Sequence, residues 1–201
     1  MSLASTPAAS AAAAVAVSPL ASALPGGAPI FGARELVRIF IEACVTTGGT
    51  YQAAVDGAIG QGLIPQDAQS PGSLALLDDR PGMVFSPAGH EGQVLLAVTE
   101  RGPCLVWADR AHGPGVRLAL QAALGERVSR GDRLEVEADR KLERSQTWRQ
   151  QTQWLLRPAG APTPLQIGLV NTVTDGLAAQ VMRLQPMAAT ARFAPDGMPL
   201  R

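Results

Sequence analysis

The stretch Gln93-Val94-Leu95-Leu96-Ala97-Val98-Thr99, then Glu100-Arg101-Gly102-Pro103, then Cys104-Leu105-Val106-Trp107-Ala108, decides the fold class. Two short apolar runs rich in Val and Leu flank a cluster of turn residues. Runs of that length, bounded by Gly and Pro, predict strands and not helix turns. Met83-Val84-Phe85 lies upstream, set off by Ser86-Pro87-Ala88-Gly89, so the three runs together predict a three-stranded antiparallel meander.

Working outward toward the N-terminus, the texture becomes helical. From Ala33 to Val45, Leu36, Val37, Phe40, Ile41 and Cys44 recur at three- and four-residue intervals, with Arg34, Glu35, Arg38 and Glu42 on the other side. That is an amphipathic helix with Cys44 on or beside its buried stripe. Gly48-Gly49 ends it, and Thr50 is placed to cap a second helix from Tyr51 to about Ile59. Ser70-Pro71 reads as an N-cap followed by proline in the first turn of a short helix through Leu77, with Asp78-Asp79 as a turn or helix end.

Toward the C-terminus, Gly113-Pro114-Gly115 opens a helix over Val116 to Leu124. Leu134-Glu135-Val136-Glu137-Ala138-Asp139 alternates apolar and acidic, as a half-exposed strand does. Trp148 to Leu156 follows after Arg144-Ser145-Gln146, and Gln166 to Val173 with Leu177 to Leu184 predicts a hairpin around Thr174-Asp175-Gly176. No internal repeat is visible in the sequence. The expected fold is α+β, with N-terminal helices packed on one face of a mostly antiparallel sheet, in a single domain over residues 30–186. Residues 187–201 read as a loose tail.

The chain has 201 residues, 46% hydrophobic and 17% charged, enough for a substantial core. Its charges balance at 17 against 17, with Lys141 the single lysine, which removes the electrostatic case for a nucleic-acid partner. No apolar run reaches the ~20 residues of a membrane-spanning helix, so no transmembrane segment is expected. Residues 1–29 differ in composition from the rest. An Ala/Val run from Ala11 to Val17 and the small-residue pair Ala21-x-Ala23 fit the core and cut site of an export signal, with cleavage expected after Ala23. No Lys or Arg precedes Arg34, so a disordered Ala/Pro/Ser leader is the competing reading.

Cys44 and Cys104 are the two cysteines. In an exported chain they form a disulfide; in a cytosolic one they are small buried hydrophobes; the spacings of a zinc site are missing, and no metal is expected. A nucleophile needs a base, and only His90 and His112 offer one. A Cys104–His112 pair oriented by Asp109 is a catalytic arrangement these residues suggest, with a serine in place of Cys104 as a variant, against two histidines in Gly-flanked loops. No phosphate-cradling or nucleophile-elbow motif occurs, and no cofactor is expected. Glu135, Glu137 and Asp139 share one strand face, facing water or forming a weak cation site. Trp148 and Trp154, six apart, share a face if their strand is regular, and form a candidate interaction surface.

The block Phe40-Ile41-Glu42-Ala43-Cys44, the Gly- and Ala-rich helix ending at Gly62-Leu63, and Gly102-Pro103-Cys104-Leu105-Val106-Trp107 resemble a pattern in uncharacterised short exported proteins and lipoproteins of proteobacteria. The resemblance covers about Ala33 to Leu124. It implies a periplasmic setting and pairing of the two cysteines, and no particular activity. The lipid-anchoring cysteine of the lipoprotein members is missing here. The function expected from these features is a non-catalytic exported accessory, binding or structural protein, partnered by another envelope protein. A small hydrolase using the Cys/His pair, and a cytosolic adaptor using the aromatic strand face, are the alternatives.

Overall fold

A computed structural model describes residues 31–144, 147–173 and 176–187. The expected leader over residues 1–29, the expected tail beyond residue 187, and residues 145–146 and 174–175 lie outside the described residues. In chain order the elements are α1 (Ala33–Phe40), a π-helical turn (Ile41–Val45), α2 (Tyr51–Gly60), β1 (Ile64–Pro65), α3 (Pro71–Leu77), β2 (Gly82–Ser86), β3 (Val94–Thr99) and β4 (Cys104–His112). There follow α4 (Gly113–Ser129), β5 (Arg133–Arg144), β6 (Thr147–Arg157), β7 (Leu165–Thr172) and β8 (Leu177–Pro186).

All eight strands form one sheet in the order β1-β2-β3-β4-β8-β7-β6-β5, with every neighbour antiparallel. The α+β class read from the sequence is the class observed. The topology repeats where the sequence does not. A helix and a four-strand meander (α2, β1–β4, with α3 inserted) are followed by a second helix and four-strand meander (α4, β5–β8). The last strand of each, β4 and β8, pair at the centre of the sheet.

The helix α1 is extra to this duplication and runs along α4, with Ala33 set against Gly115. Its apolar stripe buries Leu36, Val37, Ile39 and Phe40 against one face of the sheet. The expected single helix over Ala33 to Val45 widens after Phe40: Thr46 N–H donates to Ile41 O and Gly49 N–H to Cys44 O, bonds five residues apart. α4 buries Val116, Leu120 and Leu124 at four-residue spacing on the same face. It continues one turn past the expected end because Gly125 costs a helix only about 1 kcal/mol and Arg127 anchors its last turn.

Strand β3 is buried along its whole length. Its alternate residues Val94, Leu96 and Val98 join the main core, while Leu95 and Ala97 join a second cluster with Leu77 and Val84. The short helix α3 therefore covers the opposite face of the sheet from α1, α2 and α4. Its start follows the expected capping, with Ser70 Oγ accepting from Ser73 N–H at 3.2 Å. Asp78 and Asp79 end it in the left-handed region at φ 52° and 57°, a conformation Asp tolerates better than most residues.

Candidate functional site

Cys44 and Cys104 are joined by a disulfide, with Cα atoms 5.6 Å apart and both residues fully buried. The π-helical turn carries Cys44 onto the first residue of β4. The catalytic arrangement that the sequence permitted is not assembled. Cys104 and His112 stand at opposite ends of β4, eight residues or about 26 Å of extended chain apart. The sulfur is bonded, and Asp109 is exposed at the bulge between Ala108 and Ala111. His112 serves as the N-cap of α4, its Nδ1 accepting from Gly115 N–H at 3.1 Å. An imidazole nitrogen used as a cap acceptor there is not the proton acceptor of a nucleophile.

Around that cap lies a polar network that sequence reasoning missed. Gln180, on β8, is buried; its Nε2 donates to Ala111 O, Thr172 Oγ1 and Ala178 O, and its Oε1 accepts from Thr172 N–H. Gly113 packs directly against Thr172, where a Cβ would stand 2.2 Å from the carbonyl oxygen. This cluster fastens the start of α4 to the end of the central β4–β8 seam. A Gln in register with Met182 and Leu184, the core positions of β8, was the signal available in the sequence.

The tryptophans separate by burial. The register of β6 against β7 is regular from Arg149 to Leu156, so Trp148 and Trp154 do share the helix-side face. Trp154 is 3% exposed in the core, whereas Trp148, beyond the reach of α4, is 45% exposed. The candidate interaction surface is corrected accordingly: Trp154 is a core residue, and Trp148 alone offers a ring to solvent.

The acidic trio is also split. A bulge at Glu137, between the pairs Val136↔Trp154 and Ala138↔Gln153, shifts the alternation by one residue. Glu135 and Glu137 stay on the outer face, where Glu137 accepts from Gln166 at 2.9 Å. Asp139 turns to the helix side and accepts from Gln150 (2.7 Å) and Thr152 (3.0 Å), with Arg117 of α4 3.2 Å away. Among the described residues no group of three His, Cys, Asp or Glu is placed to hold a metal ion.

Desolvation pushes the Asp139 carboxyl up, and the hydrogen bonds from Gln150, Thr152 and Arg117 together outweigh it, so its pKa lies below the ordinary value. A carboxylate with a depressed folded pKa contributes stability above its unfolded pKa of about 3.9, and loses it as pH falls through the folded value. Asp139→Asn is therefore expected to flatten the acid limb of a stability–pH curve below about pH 4. With the side chain 41% exposed, its loss at neutral pH should cost no more than about 1 kcal/mol. Urea melts of both forms across that pH range check this.

A groove of about 620 Å³ lies between α1 and α4, lined by Val37, Ile41 and Ala119 with Arg34, Glu126 and Arg130. A second, of about 500 Å³, lies at the disulfide end of the sheet beside Tyr51, Arg101 and Pro186. No protein-family model matches the chain, and a search of curated proteins finds no match.

Proposed function

We propose that the protein is a non-catalytic exported accessory component, binding or structural, that works with another protein of the cell envelope. The observation that carries this reading is the Cys44–Cys104 disulfide. It consumes both thiols of the chain, places them in the core and fits an oxidising compartment. The hydrolase alternative loses its nucleophile to the same bond. The signal-like leader and the resemblance to short exported proteins support the same setting. No helix of the described residues is long and apolar enough to cross a membrane. The adaptor alternative keeps one exposed ring, Trp148, on which a partner could rest.

Intact-mass analysis of the protein isolated from its native cells tests the proposal. The expected species begins at Leu24, is recovered with the exported fraction, and gains two hydrogens on reduction under denaturing conditions. A full-length cytosolic chain with two free thiols would overturn it.

A further inference from the structure

The two meanders differ on the face away from α1, α2 and α4. α3, inserted between β1 and β2, covers that face of the first meander through Leu77. In the second, β5 and β6 are joined by two residues, and no helix among those described covers it. The register puts Arg140, Gln151 and Val170 in one row across this open face, and Ala138, Gln153, Gly168 and Arg183 in the next. Arg149 stands beside them on β6, on the same face as Gln151.

The charge on this face is unbalanced, although the chain as a whole is neutral. Glu135 lies 3.6 Å from Arg157, and Glu137 is hydrogen-bonded to Gln166. Arg140 and Arg183 are exposed and Arg149 is half-buried, and none of the three has a carboxylate within ion-pair reach among the described residues. Arg140 and Arg183 are three strands apart, about 14 Å measured across the strands, and one row, about 7 Å, apart along them. Acidic side chains on one face of an extended peptide recur every ~7 Å, so every second one matches the spacing across the strands. Between the arginines, Gln151 and Gln153 present amides that both donate and accept, as peptide groups do. Gly168 leaves the sheet surface open to a close backbone: nothing nearer than Arg183 O, at 4.0 Å, faces its missing Cβ.

The geometry points to this face as a docking surface for an extended acidic segment of a partner protein, lying across β5 to β8 with its carboxylates on Arg140, Arg149 and Arg183. The inference goes beyond the proposed function and holds in either compartment, so its failure leaves that proposal standing.

The test uses the full chain and a fluorescein-labelled peptide of alternating Glu and Ser, about 12 residues or roughly 40 Å when extended. Anisotropy should report binding at low salt that is lost by about 0.5 M, where exposed charges are screened. Arg140→Glu and Arg183→Glu should each weaken it roughly threefold to tenfold, and more together. Arg34→Glu with Arg130→Glu, on the α1–α4 groove, should leave it unchanged. In the unsubstituted protein, peptide-induced backbone amide shifts should fall on β5–β8, which keeps the test valid if a variant misfolds. Equal loss from the groove variant, shifts confined to the helices, or binding of heparin without binding of the peptide would each overturn the inference.

Discussion

Replacing Cys44 and Cys104 together by alanine should lower the unfolding free energy by about 4 kcal/mol, a figure set by the 60 residues the bridge encloses. Most of that comes from the unfolded chain, which regains the freedom of a long open loop. Domains of this size hold roughly 5–15 kcal/mol in all, so the variant should stand close to its unfolding threshold. With a urea slope of about 2 kcal/mol per molar, the midpoint should fall by roughly 2 M. Matched melts of the parent, with and without reductant, give the same comparison without a substitution. A midpoint that does not move would mean that the helix–strand contact is already held by packing around Phe40 and Val106.

The second large effect separates two residues that the sequence treats alike. Trp154→Ala should cost about 3–5 kcal/mol, because it empties a large buried volume between the sheet and α4. Trp148→Ala should change stability by less than about 0.5 kcal/mol, as exposed substitutions do. Chemical denaturation of the two variants measures both. If Trp148→Ala also weakens capture of a partner while the fold is unchanged, the exposed ring belongs to an interface. A pull-down with Trp154→Ala cannot report that, since it reads a damaged core.

These contrasts mark what was legible in the sequence. The meander around Leu95 and Val106 was readable because strand runs, turn residues and helix periodicities are local signals. So were the Ser70 cap and the amphipathic stripe of α1. The six-residue spacing of Trp148 and Trp154 gave their shared face correctly. It could not give their depth, which depends on where α4 stops covering β6. The alternation from Glu135 to Asp139 failed for a related reason. One extra residue at Glu137 turns Asp139 to the other side, and a bulge is fixed by the partner strand rather than by the bulged one. The contacts of Gln180 with Ala111 join segments 69 residues apart, beyond any local pattern. The Cys104, His112 and Asp109 arrangement was consistent in residue type alone; an extended strand kept its two ends apart.

The central seam also bears on how the chain is made. β4 and β8 are the innermost strands, yet β8 is the last of the eight to leave the ribosome. Until it does, the edge of β4, with Leu105, Val106 and Trp107, lacks its second neighbour, and unpaired apolar edges of that kind invite association between nascent chains. The Cys44–Cys104 bond needs only the π-helical turn and the first meander, so oxidation can secure β4 to that turn before the seam closes. The molecule thus completes its middle last, and a nascent chain stopped before Leu177 would display as an edge a strand that the finished protein places at the centre of its sheet.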